Sequence, residues 1–315
     1  MRAFRRPFAV QCLAARDRIS PMIRCTPVLT APAAKIHLKC ENEQTTGSFK
    51  ARGALNALTA LAPDAVVVGS SGNHGIATAW AASRLGIGAT VVMTEAASAF
   101  KQDRIRRLGA RVVTCPGGNN ARGDRVTEIA AATGAVAVSS YDHPLVVAGQ
   151  ASVGFEILEQ VAGATTIVVP VGGGGLLAGV ATAVEISGRP VRVIGAEPRA
   201  ANDTALSLAA GRRVMIDPPV SICDGVLAQS PGEFTFPLIQ RLVDDVVEVG
   251  EDDVRAAMRE LALLGMTVEP TGALAFAAAR ALPRTGGTVA VVSGGNVEPA
   301  EFRQLTGAVP HPARS

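Results

Sequence analysis

The chain has 315 residues, of which 48% are apolar, 18% charged and 3% aromatic, and it carries 33 glycines. This composition excludes a disordered chain and is typical of an α/β protein with many tight turns, long enough for two lobes. A formal net charge of +3 is too small for this length to indicate a nucleic-acid-binding protein.

The cysteine content and the N-terminal segment favour a cytoplasmic protein. The five cysteines are widely spaced and form no CxxC pair, so a disulfide framework is not expected. No apolar run reaches the roughly 18 residues that a membrane span requires. Residues 1–15 weakly resemble a targeting peptide, but their apolar patch is short and runs into a helical pattern. We therefore predict a structural helix there, and no contact with a membrane.

The next element is a helix predicted within ENEQTTGSFKARGALNAL, residues 41–58. Ser48 is in the position of an N-cap, which places Lys50 in the first turn. The N-terminus of a helix is partially positive, so a lysine there loses stability. A functional reason for Lys50 is therefore expected. The alternative is a lysine that extends into solvent from a surface helix.

From residue 65 onwards, short β-branched segments alternate with alanine-rich helical segments. The predicted strands are AVVVGS, ATVVMT, ARVVTC, TTIVVPV, VRVIGAEP and TVAVVSGGN. Alternation of this kind produces parallel sheets flanked by helices. We predict two lobes, with residues 65–143 forming a smaller lobe that is inserted into a larger lobe of residues 1–64 and 144–315.

Short polar or glycine-rich loops follow strand ends at residues 45–50, 70–75, 171–179 and 293–298. In open α/β sheets, ligands bind at the carboxyl ends of the strands. In one of these loops, bare backbone lies between a strand and a helix, where N–H groups can bind a phosphate. The glycines of this loop are Gly172, Gly173, Gly174 and Gly175.

A dinucleotide site is the main alternative for this glycine loop. Gly173, Gly175 and Ala178 satisfy the pattern G-x-G-x-x-A, and Glu197 ends the following strand at the distance that such a fold requires. Taken alone, this motif indicates NAD. A lysine in the first turn of a helix has no role in such a site, which decides against this alternative.

Lys50 and the phosphate loop together indicate one cofactor. A helix N-terminus and burial in a cleft both lower the pKa of a lysine. The resulting neutral amine is a nucleophile that forms a Schiff base with an aldehyde. The aldehyde that also carries a phosphate is pyridoxal 5'-phosphate, PLP.

The motifs of the chain resemble those of a known family. They are TGSFKARGA, SSGNHG, HPLVVAGQ, VPVGGGGLLAG, AEP, EPTGA and SGGNV. Their order and approximate spacing are similar to those of the fold-type II PLP enzymes, specifically the serine/threonine dehydratase and serine racemase branch. The resemblance covers nearly the whole chain. It implies a tryptophan synthase β-like α/β fold, in which each lobe has a mainly parallel twisted sheet, and a homodimer.

The resemblance also implies roles for individual residues. Lys50 would hold PLP as the internal aldimine, and Phe49 would pack beside the ring. Asn73 would bond to the ring hydroxyl, and Ser293 would face the pyridine nitrogen. The phosphate would lie on Gly172 to Gly175. The substrate carboxylate would bind at the loop formed by Ser70, Ser71, Gly72, Asn73 and His74.

The reaction implied is that of a dehydratase, or ammonia-lyase. It would convert a small β-hydroxy amino acid of the serine or threonine type into a 2-keto acid and ammonia, with Lys50 removing the α-proton. Ser71 resembles the residue that acts on the opposite face of the α-carbon in racemases, so amino acid racemisation is the alternative. A PLP-binding scaffold without catalysis is a further alternative.

Two more sites follow from the resemblance. Arg122 resembles a substrate-side arginine of the racemase branch, and pairing with a second carboxylate would make hydroxyaspartate a candidate substrate. The alternative for Arg122 is a solvated side chain at a helix start. Glu197, Ala201 and Asp203 match the spacing of an Mg²⁺ or Ca²⁺ site. The alternative for these residues is a structural acid that caps the next turn.

Overall fold

The computed structural model describes residues 2–70, 72–283 and 286–311. Strands and helices alternate along most of these residues. The helices are α1 (Arg2–Ile19), α2 (Lys50–Leu61), α3 (Asn73–Leu85), α4 (Ala99–Arg107), α5 (Asn119–Thr133), α6 (Pro144–Gln160), α7 (Gly175–Ser187), α8 (Asp203–Ala210), α9 (Thr235–Leu242), α10 (Glu251–Leu263), α11 (Pro270–Ala281) and α12 (Pro299–Thr306). Two short 3₁₀ turns cover Glu41–Glu43 and Asp224–Val226.

The strands form two sheets. They are β1 (Val28–Ala31), β2 (Ile36–Cys40), β3 (Ala65–Gly69), β4 (Gly88–Thr94), β5 (Arg111–Cys115), β6 (Val136–Ala137), β7 (Thr166–Pro170), β8 (Arg192–Pro198), β9 (Asp245–Val249) and β10 (Thr288–Val292). The larger sheet has the order β1-β2-β10-β7-β8-β9, and the smaller one β5-β4-β3-β6. Within them, only the β1–β2 pair is antiparallel.

The predicted α/β class with two mainly parallel sheets is confirmed. The strands of the smaller sheet all lie between residues 65 and 137, and those of the larger sheet lie on either side of that segment. The exact domain boundaries stay a prediction. Among the described residues, no helix is both long enough and apolar enough to cross a membrane.

Helices cover both faces of each sheet. In β10, Val289 and Val291 pack towards α1, α6 and α7, whereas Ala290 and Val292 pack towards α10 and α11. This alternation is the period of two that a strand with two buried faces requires. In the smaller sheet, α2 and α3 cover one face and α5 the other. The loops that follow the carboxyl ends of the strands are where sheets of this kind bind ligands.

Two local predictions need correction. The helical pattern at the N-terminus does not continue past Ile19, where α1 ends two residues before Pro21; proline disfavours helical backbone in the residue before it. The N-cap of α2 is Phe49 rather than Ser48, and no side chain caps this end. The Ser48 hydroxyl is instead buried without a hydrogen-bond partner among the described residues.

A buried ionic network holds the start of α2. Arg52 donates to both carboxylate oxygens of Glu41 at 2.7 Å, and to those of Glu156 on α6 at 2.6 and 2.8 Å. Lys39 on β2 donates to Glu156 at 2.5 Å and to the main-chain oxygen of Thr26 at 2.8 Å. Although burial lowers it, the two carboxylates raise the pKa of Arg52 above its ordinary value. The second cation of the first turn is thus neutralised by acids.

Replacing Arg52 with leucine should therefore destabilise the protein strongly. The side chains of Arg52 and Glu41 are both fully buried, so the substitution leaves a buried carboxylate without its cation. Breaking one side of such a pair costs about 3–5 kcal/mol. Urea unfolding measures this loss in the free energy of unfolding.

Arg255→Leu on α10 is the matched control, because Arg255 pairs with Glu251 and Asp252 on the surface. An exposed pair of this kind contributes up to about 1 kcal/mol. Equal losses in the two variants would contradict a structural role for the buried network.

Candidate active site

The predicted loops meet at the carboxyl ends of the strands. Ser48, before α2, forms a bridge with Gly294, after β10. The N–H of Phe49 donates to the Ser293 oxygen at 3.1 Å, and the N–H of Gly295 donates to the Gly47 oxygen at 2.9 Å. The lysine loop and the Ser293 loop are therefore fixed side by side.

Lys50 opens α2 and directs its amine into this region. The amine donates to the main-chain oxygen of Ser140 at 2.9 Å and lies 5.0 Å from the centre of the Phe49 ring. Part of the side chain reaches solvent, but burial of the amine lowers the pKa of Lys50 to about 8, while Glu269 acts in the opposite direction. A substantial fraction of the amine is therefore neutral near physiological pH.

The glycine loop precedes α7 and is closely packed. Gly174 has a φ of +92°, which favours glycine. A Cβ added to Gly173 would lie 2.1 Å from the Tyr141 ring, so no larger residue fits there. Main-chain N–H groups at the start of a helix bind anions. The donor set and the shape of this loop therefore fit a phosphate, and the loop is joined to Lys50 through the neighbouring residues Ser140 and Tyr141.

The predicted carboxylate loop follows β3 and opens α3. Ser71 lies outside the described residues. The Ser70 hydroxyl accepts the Gly72 N–H at 3.2 Å, with Gly72 as the N-cap. Asn73 donates to Glu269 at 2.5 Å and accepts from Asn296 at 2.6 Å. The loop thus presents the N-terminus of a helix beside the lysine loop.

His74 is buried in the same region, and neither of its ring nitrogens has a hydrogen-bond partner among the described residues. Burial, together with the charges of Lys50 and Arg122, lowers the pKa of His74 to about 3, although the main chain of Val138 acts in the opposite direction. The ring is therefore neutral, with one nitrogen that donates and one that accepts.

Arg122 lies on α5, at the edge of the region around His74. Its Cγ is 3.3 Å from the position of a Cβ on Gly69, the last residue of β3. Burial lowers the pKa of Arg122, and Tyr141 is among the groups that raise it. The guanidinium is thus partly buried near the carboxyl end of β3, close to His74 and Tyr141, rather than fully solvated.

Ser293 and Glu269 complete the region on the side of the larger sheet. The Ser293 hydroxyl is buried and donates to the Thr271 oxygen at 3.4 Å. Glu269 is the N-cap residue of α11, and a Cβ added to Gly294 would lie 2.2 Å from its Oε1. Burial raises the pKa of Glu269 to about 7.

The sequence analysis gave Glu269 no role. Its only signal was the position in EPTGA, directly before a proline that opens a helix. The contact with Asn73 joins residues 196 positions apart, and no local pattern predicts it.

The predicted metal residues Glu197, Ala201 and Asp203 follow β8. The described residues contain no group of three or more histidine, cysteine, aspartate or glutamate side chains suited to a metal. The Glu197 carboxylate accepts the N–H groups of Thr204 and Ala205, both at 3.0 Å, at the start of α8. Glu197 therefore caps the start of α8, as expected for a structural acid. In a dinucleotide site, the same carboxylate would instead bind the ribose of the ligand.

Asp203 behaves differently from Glu197. Both oxygens of its carboxylate are buried without a hydrogen-bond partner among the described residues. Burial and the nearby Glu197 raise the pKa of Asp203 to about 8. A buried carboxylate that lacks both a donor and a cation is costly.

Comparison with known proteins agrees with this geometry. The family model described as pyridoxal-phosphate dependent enzyme matches residues 19–294. The L-threonine ammonia-lyase of Geobacter sulfurreducens is 38% identical over 300 residues, covering 90% of this chain and 74% of that protein. The L-threo-3-hydroxyaspartate ammonia-lyase of Saccharomyces cerevisiae is 37% identical over 307 residues, covering 93% of this chain and 94% of that protein.

Among solved structures, maize serine racemase superposes with a TM-score of 0.89 and 34% identity, covering 93% of this chain and 95% of that one. The coverage is nearly complete in both directions. This chain therefore belongs to the fold-type II pyridoxal-phosphate dependent enzymes, in the branch that contains threonine ammonia-lyases and serine racemases.

Proposed function

We propose that the protein is a PLP-dependent ammonia-lyase that releases ammonia and a 2-keto acid from a small β-hydroxy amino acid. The observation that carries the proposal is the position of Lys50. Its amine has a pKa lowered to about 8 by burial and contacts Ser140, whose neighbour Tyr141 packs on the glycine loop. The lysine amine and the glycine loop thus contact adjacent residues of one short segment, which supports the proposal.

Each residue has a distinct part in this proposal. Lys50 would hold the cofactor covalently and would move the α-proton of the substrate. The main-chain N–H groups of residues 172–175 would bind the phosphate. Phe49 would pack beside the ring, Asn73 would bond to the ring hydroxyl, and Ser293 would face the ring nitrogen. When bound, PLP supplies an electron sink for the α-carbon.

The substrate carboxylate binds at residues 70–74, at the start of α3. The N–H groups there are aligned with the helix dipole, which favours an anion. His74 supports this assignment, because a neutral ring with unpartnered nitrogens accommodates a polar ligand without adding charge.

A hydroxylated acidic substrate is the second candidate, and Arg122 favours it. Its guanidinium is partly buried near His74, and in this proposal it pairs with a second carboxylate of the substrate. One relative of similar identity is a 3-hydroxyaspartate ammonia-lyase. Racemisation through Lys50 and Ser71 stays the alternative activity, as one relative of known structure is a serine racemase. A homodimer and a cytoplasmic location stay predictions.

The protein loaded with PLP should release a keto acid and ammonia from at least one of L-serine, L-threonine and L-threo-3-hydroxyaspartate. Lys50→Ala should abolish this release, because the amine that holds the cofactor and moves the proton is lost. Keto-acid formation and chiral chromatography measure both possible products. Interconversion of enantiomers without any keto acid would overturn the lyase assignment in favour of the racemase.

Arg122→Gln separates the candidate substrates. A charge-assisted hydrogen bond contributes about 1.5–3 kcal/mol, so kcat/KM for hydroxyaspartate should fall about 10- to 150-fold, while that for serine changes little. Arg125→Gln is the control, since Arg125 lies on the same helix and pairs with Glu128 on the surface. A parallel fall for serine and hydroxyaspartate would rule out a contact with the second carboxylate.

We also propose that a divalent cation binds at Asp203. Its unpartnered carboxylate supports this, with Glu197 and the main-chain oxygen of Ala201 as the other protein ligands and water completing the shell. Mg²⁺ should raise the melting temperature of the wild type, because binding to the folded state stabilises it. Differential scanning fluorimetry with and without EDTA measures this effect.

Asp203→Asn should lose the response to Mg²⁺, because the ligand charge is gone. Asp252→Asn is the control, as Asp252 is fully exposed on α10, and it should keep the response. If the wild type does not respond to Mg²⁺ or Ca²⁺, or Asp203→Asn responds equally, there is no cation site at these residues.

A further inference from the structure

A chain of hydrogen-bonded side chains crosses the cleft beside the Lys50 loop. Arg104 on α4 donates to the Oδ1 of Asn296, and the Nδ2 of Asn296 donates to the Oδ1 of Asn73 at 2.6 Å. The Nδ2 of Asn73 in turn donates to Glu269 at 2.5 Å. We call Arg104, Asn296, Asn73 and Glu269 the polar chain. Its members alternate between elements packed on the smaller sheet and loops of the larger one.

The polar chain has a direction, which Arg104 sets together with the main-chain oxygen of Thr46. A guanidinium only donates hydrogen bonds, whereas an asparagine amide can turn over and exchange its donor and acceptor ends. Arg104 therefore requires the oxygen of Asn296 to face it. The amide nitrogen of Asn296 then faces the main-chain oxygen of Thr46 at 2.9 Å and the oxygen of Asn73.

Asn296 and Glu269 together set the direction of Asn73. With its oxygen occupied by Asn296, Asn73 directs its nitrogen towards Glu269 and Gly294. Gly294 pairs with Ser48, two residues before Lys50. An amide nitrogen carries two hydrogens, and one remains for an acceptor on a ligand in the site. A turned Asn73 would present an acceptor there instead.

Arg104 is fixed where it can have this effect. Its second nitrogen donates to the Thr46 oxygen at 3.2 Å, in the loop that leads to Lys50. Other residues of the same segment dock independently, because Lys101 pairs with Asp224 at 2.7 Å and Ser98 contacts Glu298. These contacts keep α4 in place when Arg104 is replaced. A substitution of Arg104 therefore tests the direction of the two amides rather than the packing of α4.

We propose that Arg104 is a positioning residue that fixes the amide directions of Asn296 and Asn73, and so keeps an Asn73 N–H directed at the ring hydroxyl of the cofactor. This inference rests on the proposed function, in which Asn73 binds that hydroxyl. Arg104 would thus influence the cofactor through Asn296 and Asn73, without a direct contact.

The test compares Arg104→Gln with Arg104→Lys. Glutamine can accept as well as donate, so Asn296 loses one of the two groups that fix its amide direction and keeps only the Thr46 oxygen, whereas lysine still only donates. Arg104→Gln should weaken PLP binding about 5- to 30-fold, the effect of one or two kcal/mol, and should change the visible absorption spectrum of the bound cofactor. Arg104→Lys should restore most of the affinity and the wild-type spectrum.

Asn296→Asp tests the polar chain without altering α4. The carboxylate keeps the contact with Arg104 but cannot donate to Asn73, so it should reproduce the loss of affinity and the altered spectrum. Arg106→Gln is the control, because Arg106 lies on the solvent side of α4 with Asp103 and Gln102. It should leave both readouts unchanged.

Unchanged PLP affinity and spectrum in Arg104→Gln would overturn the proposal, even if its melting temperature falls, because a purely structural role predicts that result. A wild-type protein that does not bind PLP would instead refute the proposed function itself. The two failures are therefore distinguishable within one set of titrations.

Discussion

The proposed chemistry depends on a buried amine at the start of a helix whose pKa is lowered enough for a fraction of it to be neutral near physiological pH. The first turn of α2 carries two basic residues, Lys50 and Arg52, whose surroundings have opposite effects on their pKa values. Arg52 receives two carboxylates and stays charged, whereas Lys50 receives a main-chain oxygen and an aromatic ring. Burial lowers the pKa of Lys50 to about 8, and Glu269 limits the shift. The ionic network therefore stabilises the helix start while the lysine stays available for chemistry.

The parallel sheets explain why the other functional groups lie close to this amine. Strand ends far apart in sequence meet at one edge of each sheet, and the loops after β3, β7 and β10 follow from them. Hydrogen bonds between these loops, such as that from Phe49 to Ser293, fix their relative positions. The polar chain adds a connection from α4. Residues packed on both sheets therefore contribute to the orientation of the Asn73 amide.

Much of the fold and the loops of the site could be predicted from the sequence, because strands, glycine turns and helix starts have local signals. Strand β2 was missed because Lys39 interrupts its apolar pattern, and the charge of that buried lysine is paired with Glu156 on a distant helix. The N-cap at Ser48 was wrong because the loop pairs with Gly294 instead. Glu269, Arg104 and Asn296 went unrecognised since their partners lie about 190 to 220 residues away.

The most direct test is the rate at which PLP becomes attached to Lys50 as a function of pH, measured on cofactor-free protein by borohydride trapping and mass spectrometry. Only the neutral amine reacts, so the rate should rise roughly tenfold for each pH unit and level off near pH 8, the value about which Lys50 titrates. Glu269→Gln should move this break to lower pH, because Glu269 raises the pKa. A rate that climbs without a break up to the ordinary lysine value of 10.5, or trapping at another residue, would contradict the account.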